Sequence, residues 1–209
     1  MNLEKYQQYS RIARGLEKAD LVLKDARIVN VFTEEIIRGD IAIQDGIIAG
    51  IGSFHGKEER DLAGRYVCPG FIDSHLHLES TLVTPAELVT VASRHGTTTF
   101  IVDPHESANV SGLAGIDYIL DQTEDVKANV YVMMPSCVPA TAIDDNGCTL
   151  TAEDMVPYLH NSRILGLGEV MDSISVVQGE KSMHDKLELF EGRIRDGHAP
   201  FLEEGDLQA

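Results

Sequence analysis

Hydrophobic positions change their rhythm twice along this chain. Residues 2–18 (NLEKYQQYSRIARGLEK) are polar and helix-permissive. From Ala19 to about Gly52 (ADLVLKDARIVNVFTEEIIRGDIAIQDGIIAGIG) short β-branched runs alternate with turn signals, which predicts a small antiparallel sheet. Asp45-Gly46, between IAIQ and IIAGIG, marks a hairpin, because that dipeptide tolerates the positive φ such turns need. A sheet this small leaves edges and one apolar face that another layer must cover.

After Tyr66 apolar strands alternate with helix-like stretches. The strands lie in YVCPGFIDSHLHL, GTTTFIVDPHE, NVYVMMPSC and RILGLGEVM, with a last one around Arg193–Ala199. Helices are predicted between them near Pro85–His95, Ser111–Thr123, Ala152–Asn161 and Met183–Glu191. Thr84 as the cap and Pro85 as an early helical residue fit the rules for a helix start. Alternation at this spacing implies parallel βαβ units, hence an α/β fold. About four and a half units are present where a closed barrel of this kind needs eight, so the next helix is expected to run past Ala209. Residues 1–65 are expected to form the helix and small sheet, and residues 66–209 the barrel strands. Repeats and low-complexity stretches are absent from the sequence.

Composition narrows the function classes. The 209 residues are 43% hydrophobic and 24% charged, ordinary values for a globular protein, which argues against disorder. A formal net charge of −17 repels nucleic-acid backbones and anionic membrane surfaces. A bound divalent cation would reverse that sign locally. Most of the carboxylates read as solvated surface. The start, Met1 to Arg14, has no signal-type apolar run, and no uninterrupted apolar stretch reaches membrane-spanning length. Cys68, Cys137 and Cys148 are an odd number at unrelated spacings; they read as reduced cytoplasmic thiols packed in the core.

Every candidate ligand falls at the C-terminal end of a predicted strand, where parallel barrels gather their active-site loops. His75 and His77 stand two apart on one strand, so both imidazoles point to the same face and reach one ion. Glu169 follows a buried apolar run in ILGLGEVM; it either binds metal or emerges into solvent. His198, in DGHAP, is a loop histidine or a further ligand on the same rim. Asp103-Pro104-His105-Glu106 supports or contacts a substrate, or else caps the helix that follows, and Glu79 shares that ambiguity. His55, His95, His160 and His184 belong to no cluster. A nucleotide-binding glycine loop, a Gly-x-Ser-x-Gly elbow and the paired motif of cytidine deaminases are all missing.

The segments PGFIDSHLHLEST, VDPHE, GLGEVM and DGHAP, in that order and spacing, resemble the bacterial adenine deaminases of the amidohydrolase superfamily. The resemblance runs from about Ala19 to the last residue. It implies a (β/α)8 barrel, here partial with about five of eight strands, and the N-terminal part of a small β-sandwich domain. It also implies a binuclear centre of manganese or iron, with zinc compatible. His75 and His77 would hold one ion, Glu169 would bridge, and His198 would hold the second; Glu169 and His77 would be the catalytic pair. The implied reaction is hydrolysis of adenine to hypoxanthine and ammonia, in cytoplasmic purine salvage, by a homo-oligomer in its full-length form. A histidine and an aspartate that the family carries after later strands have no counterpart in these residues. The chain by itself is therefore expected to be inactive, to retain metal weakly and to self-associate. The competing readings are another amidohydrolase, such as an N-acetylglucosamine-6-phosphate deacetylase, and a non-catalytic remnant.

Overall fold

The structure, a computed structural model, describes residues 2–141, 143–200 and 202–208. The chain divides into two compact units, Met1–Pro69 and Gly70–Ala209.

The first unit opens with helix α1 (Leu3–Ala13), capped by the Asn2 side chain, which accepts from the Lys5 amide at 2.9 Å. Strands β1 (Ala19–Asn30), β2 (Glu35–Gln44), β3 (Ile47–Gly52), β4 (Gly56–Asp61) and β5 (Tyr66–Val67) follow. The predicted hairpin joins β2 to β3 through Asp45 (φ 51) and Gly46 (φ 75). The sheet is mixed, not antiparallel throughout: β4 and β5 both pair with β1 in parallel. Alternation of apolar residues sets which face is buried but carries no strand direction. The chain runs from β3 into β4 without reversing, so β4 lies along the free edge of β1. Ile12 of α1 packs with Ala19, Val22, Ala42 and Phe54 in the core of this unit.

In the second unit the strands are β6 (Phe71–Leu76), β7 (Thr97–Val102), β8 (Asn129–Pro135), β9 (Ile164–Val170) and β10 (Ile194–Gly197). They form one parallel sheet in sequential order, β6 to β10, the partial barrel expected from the alternation. Helices α2 (Pro85–Ser93), α3 (His105–Ser111), α4 (Leu113–Gln122), α5 (Ala152–Met155), α6 (Ser173–Gln178) and α7 (Lys181–Leu189) cross between them. Val89, Phe100, Ile116, Ile119, Val132, Leu167 and Phe190 belong to the core of this unit.

Several helices differ from expectation for local reasons. The helix predicted over Ser111–Thr123 is α4, Leu113–Gln122, and the preceding α3, which ends at Gly112 where φ is 60, was not anticipated. The stretch predicted over Ala152–Asn161 is α-helical only to Met155 and tightens into a 3₁₀ turn at Val156–His160, where Pro157 offers no amide. Helix α6 precedes the predicted last helix and was not anticipated. Thr84 occupies the cap of α2, yet its side chain makes no capping hydrogen bond. Cys137 is buried and Cys148 half-buried, but Cys68, in the connection between β5 and β6, is exposed, contrary to the expected core packing.

Candidate metal centre

The strand ends of the second unit converge on Glu169. This carboxylate is 5% exposed, and its two oxygens face different neighbours. Oε1 lies 2.7 Å from His75 Nε2, 3.3 Å from His77 Nε2 and 3.3 Å from His198 Nε2. Oε2 lies 2.9 Å from His105 Nδ1. One ligand atom each from His75, His77 and Glu169 falls within 4.8 Å of the others, a spacing that suits a shared divalent cation.

Each side chain is placed by its element. His75 lies on β6 and His77 just beyond it, with ring centroids 5.0 Å apart. His77 Nδ1 donates to the Asp103 carbonyl at 2.8 Å; a carbonyl only accepts, so this bond puts the proton on Nδ1 and leaves the Nε2 lone pair facing Glu169. His198 follows β10, and its amide donates to the Val170 carbonyl at 3.1 Å, extending the β9–β10 pairing to the site. Asp103 and His105 flank Pro104 at the end of β7, and both side chains turn towards Glu169.

Glu79 and Glu106 are placed otherwise. Glu79 Oε1 accepts the amides of Glu106 and Ser107 at 3.1 and 3.3 Å, at the start of α3, and the Ser80 hydroxyl donates to the Glu106 carboxylate. Of the ambiguous cluster, Asp103 and His105 thus join the Glu169 side, while Glu79 and Glu106 tie the 3₁₀ turn at Glu79–Thr81 to the start of α3.

Charge and burial oppose each other here. Burial pushes the Glu169 carboxyl up, but His198, His105, His77 and His75 together outweigh it and hold it below the ordinary carboxylate range. Burial raises Asp103, against the pull of His105. The Asp103 carboxylate raises the His105 imidazole in turn, against that ring's own burial. Burial also raises Glu79.

Three supporting residues escaped the sequence reading. Ser136, just after β8, donates its hydroxyl to the Glu169 carbonyl at 2.8 Å, and Asp196 on β10 accepts the Glu169 amide at 3.0 Å. Gly168 leaves space that a Cβ would take from the Asp103 carboxylate. Ser136 and Asp196 share the one available signal, a polar residue at or near the C-terminal end of a strand.

A parallel five-strand sheet with histidines and a glutamate on its C-terminal rim is the frame of a metal-dependent hydrolase. The model of the amidohydrolase family matches residues 66–197, and the chain belongs to that family. Its relatives sharpen the likeness. The chain is 56% identical over 209 residues to an adenine deaminase of Desulfitobacterium hafniense (strain Y51), covering all of this chain and 37% of that protein. It is 48% identical over 198 residues to adenine deaminase 2 of Carboxydothermus hydrogenoformans, covering 95% of this chain and 35% of that one. The chain thus spans a little over a third of the length of these curated relatives. Among solved structures, an N-isopropylammelide isopropylaminohydrolase from Burkholderia multivorans superposes with a TM-score of 0.53 at 18% identity, over 85% of this chain and 52% of that one, which supports the fold.

Proposed function

We propose that this chain carries the metal-binding strands of an adenine deaminase, which hydrolyses adenine to hypoxanthine and ammonia. The observation that carries the reading is the gathering of His75, His77 and His198 around one buried glutamate, in a chain similar along its whole length to adenine deaminases. In this reading His75 and His77 would hold one divalent ion, manganese or iron, and Glu169 with His198 would hold a second.

A divalent ion bound there supplies Lewis acidity, which makes water a nucleophile near neutral pH. The chain's own residues do the positioning. The Asp103 carbonyl keeps the proton of His77 on Nδ1, so the lone pair stays directed inward. Ser136 and Asp196 grip the Glu169 backbone on both sides, which fixes where its two oxygens point. Burial of Glu169 strengthens every electrostatic contact it makes. The substrate is small, the setting is cytoplasmic purine salvage, and the complete protein is a homo-oligomer.

The test is a chimera in which this chain replaces the matched part of the Desulfitobacterium hafniense relative, loaded with manganese. Ammonia should be released from adenine, and His77→Ala in the chimera should lower the rate by orders of magnitude while the fold persists. Release of acetate from acetylated amino sugars with no action on adenine would favour a sugar deacetylase instead. Near-normal turnover by the His77→Ala chimera with metal bound would show the ligand assignment to be wrong.

A further inference from the structure

Lys186 of α7 is a buried lysine to which the chemistry at Glu169 gives no part. Its ammonium donates to the Ser136 carbonyl at 2.6 Å, across 50 residues of chain. Ser136 is itself fully buried and meets β9 twice: its hydroxyl donates to the Glu169 carbonyl at 2.8 Å and its amide to the Gly168 carbonyl at 3.2 Å. Asp154 and Asp172 attract the ammonium from further off, but among the described residues no carboxylate forms an ion pair with it. A buried ammonium so sparsely partnered is costly, and an apolar side chain of similar size would pack there at less cost. An apolar side chain would not hold the Ser136 carbonyl, whereas a charged donor makes the stronger kind of hydrogen bond. Glu169 needs that hold, because its φ of 36 persists only where the surroundings over-determine it.

We propose that Lys186 is a positioning residue of the metal centre, acting through Ser136 on the backbone of Glu169. The ammonium fixes the Ser136 peptide, and the Ser136 hydroxyl fixes the Glu169 carbonyl and with it the point from which the carboxylate leaves β9. Lys186 itself stays outside the ligand set. A cavity of about 340 Å³ beside it, lined also by Cys137, Thr151 and Met183, leaves room there for a larger cationic side chain. The inference rests on the reading of Glu169 as a metal ligand.

Manganese is the probe: the 209-residue protein is stripped by chelator and titrated with manganese, the free ion being followed by its EPR signal. Lys186→Met should weaken manganese binding about tenfold, the usual scale for residues that orient a metal ligand. In a Ser136→Ala background the same substitution should weaken it much less, because the hydroxyl that carries the effect is already gone. Lys186→Arg, which keeps a charged donor, should restore affinity close to that of wild type. Met183→Ala, a buried truncation on the same helix, should lower the thermal midpoint and leave manganese affinity unchanged. That contrast separates positioning from a general loss of stability. Circular dichroism checks folding; should Lys186→Met fail to fold, Lys186→Gln, one bond shorter and uncharged, is judged by the same criterion. Wild-type affinity in the Lys186 variant, or an equal loss in both backgrounds, would overturn the proposal. If Glu169→Gln binds manganese as wild type does, the reading of Glu169 as a ligand fails; if Glu169→Gln weakens binding and Lys186→Met does not, this inference alone fails.

Discussion

Glu169 leaves its strand at φ 36, a conformation in which a residue with a side chain is strained, at a cost of order 1–3 kcal/mol. The Ser136 hydroxyl and the Asp196 carboxylate hold it there through its carbonyl and its amide. Behind Ser136 stands Lys186, 7% exposed, whose ammonium donates to the Ser136 carbonyl at 2.6 Å. Burial lowers the Lys186 pKa, with Cys137, Asp154 and Asp172 pulling the other way. Between its lowered folded value and the unfolded value near 10.5, the unfolded chain holds a proton that the folded chain has released. This group's contribution therefore rises with pH through that window. Urea midpoints for wild type and Lys186→Met from neutral pH towards pH 10 should show that rise in the difference between the two proteins. A flat or falling difference would mean the ammonium is not penalised by its burial.

At the scale of elements, glycines decide how closely β9 approaches its neighbours. A Cβ at Gly166 would collide with the Ile194 backbone across the β9–β10 pair, so these strands meet only because position 166 has no side chain. Gly166→Ala should cost about 1–3 kcal/mol, the usual penalty for overpacking, read as a lower urea midpoint. His198 hangs on the same pairing, through the hydrogen bond its backbone N–H donates to the Val170 carbonyl. The variant should therefore also loosen manganese binding, and one that lost stability alone would separate the pairing from the site. Strands β7, β8 and β9 were legible in the sequence because each carries a compact apolar run, whereas β4 (GKEERD) has none and lies beyond the segment predicted as sheet. Short helices were less legible: α3 begins within the ionisable cluster at Asp103–Glu106, and only the backbone shows it as a helix separate from α4.

For the molecule as a whole, metal and folding are linked. The imidazoles and carboxylates around Glu169 come from β6, β7, β9 and β10, elements far apart in sequence, so the unfolded chain has no such site. An ion bound only to the folded state adds about 2.7 kcal/mol at a hundred times its Kd. Manganese should raise the thermal midpoint of the second unit in a concentration-dependent way, and chelator should reverse it. A midpoint that ignored manganese would mean the cluster binds no ion under those conditions.

The sequence by itself determined the strand–helix alternation, the Asp45-Gly46 hairpin and the residues that carry the family likeness. These are local properties, written in apolar periodicity, in glycine's backbone freedom and in the side chains placed at strand ends. Tertiary structure alone decided that β4 and β5 lie parallel to β1, because pairing direction leaves no trace in a period-two pattern. It also divided the Asp103–Glu106 cluster, turning Asp103 and His105 towards Glu169 while Glu106 was tied to Ser80 and Glu79. Adjacent residues look alike in sequence when all are ionisable. Which of them faces a buried carboxylate depends on where the neighbouring strand ends, and that is fixed only when the sheet assembles.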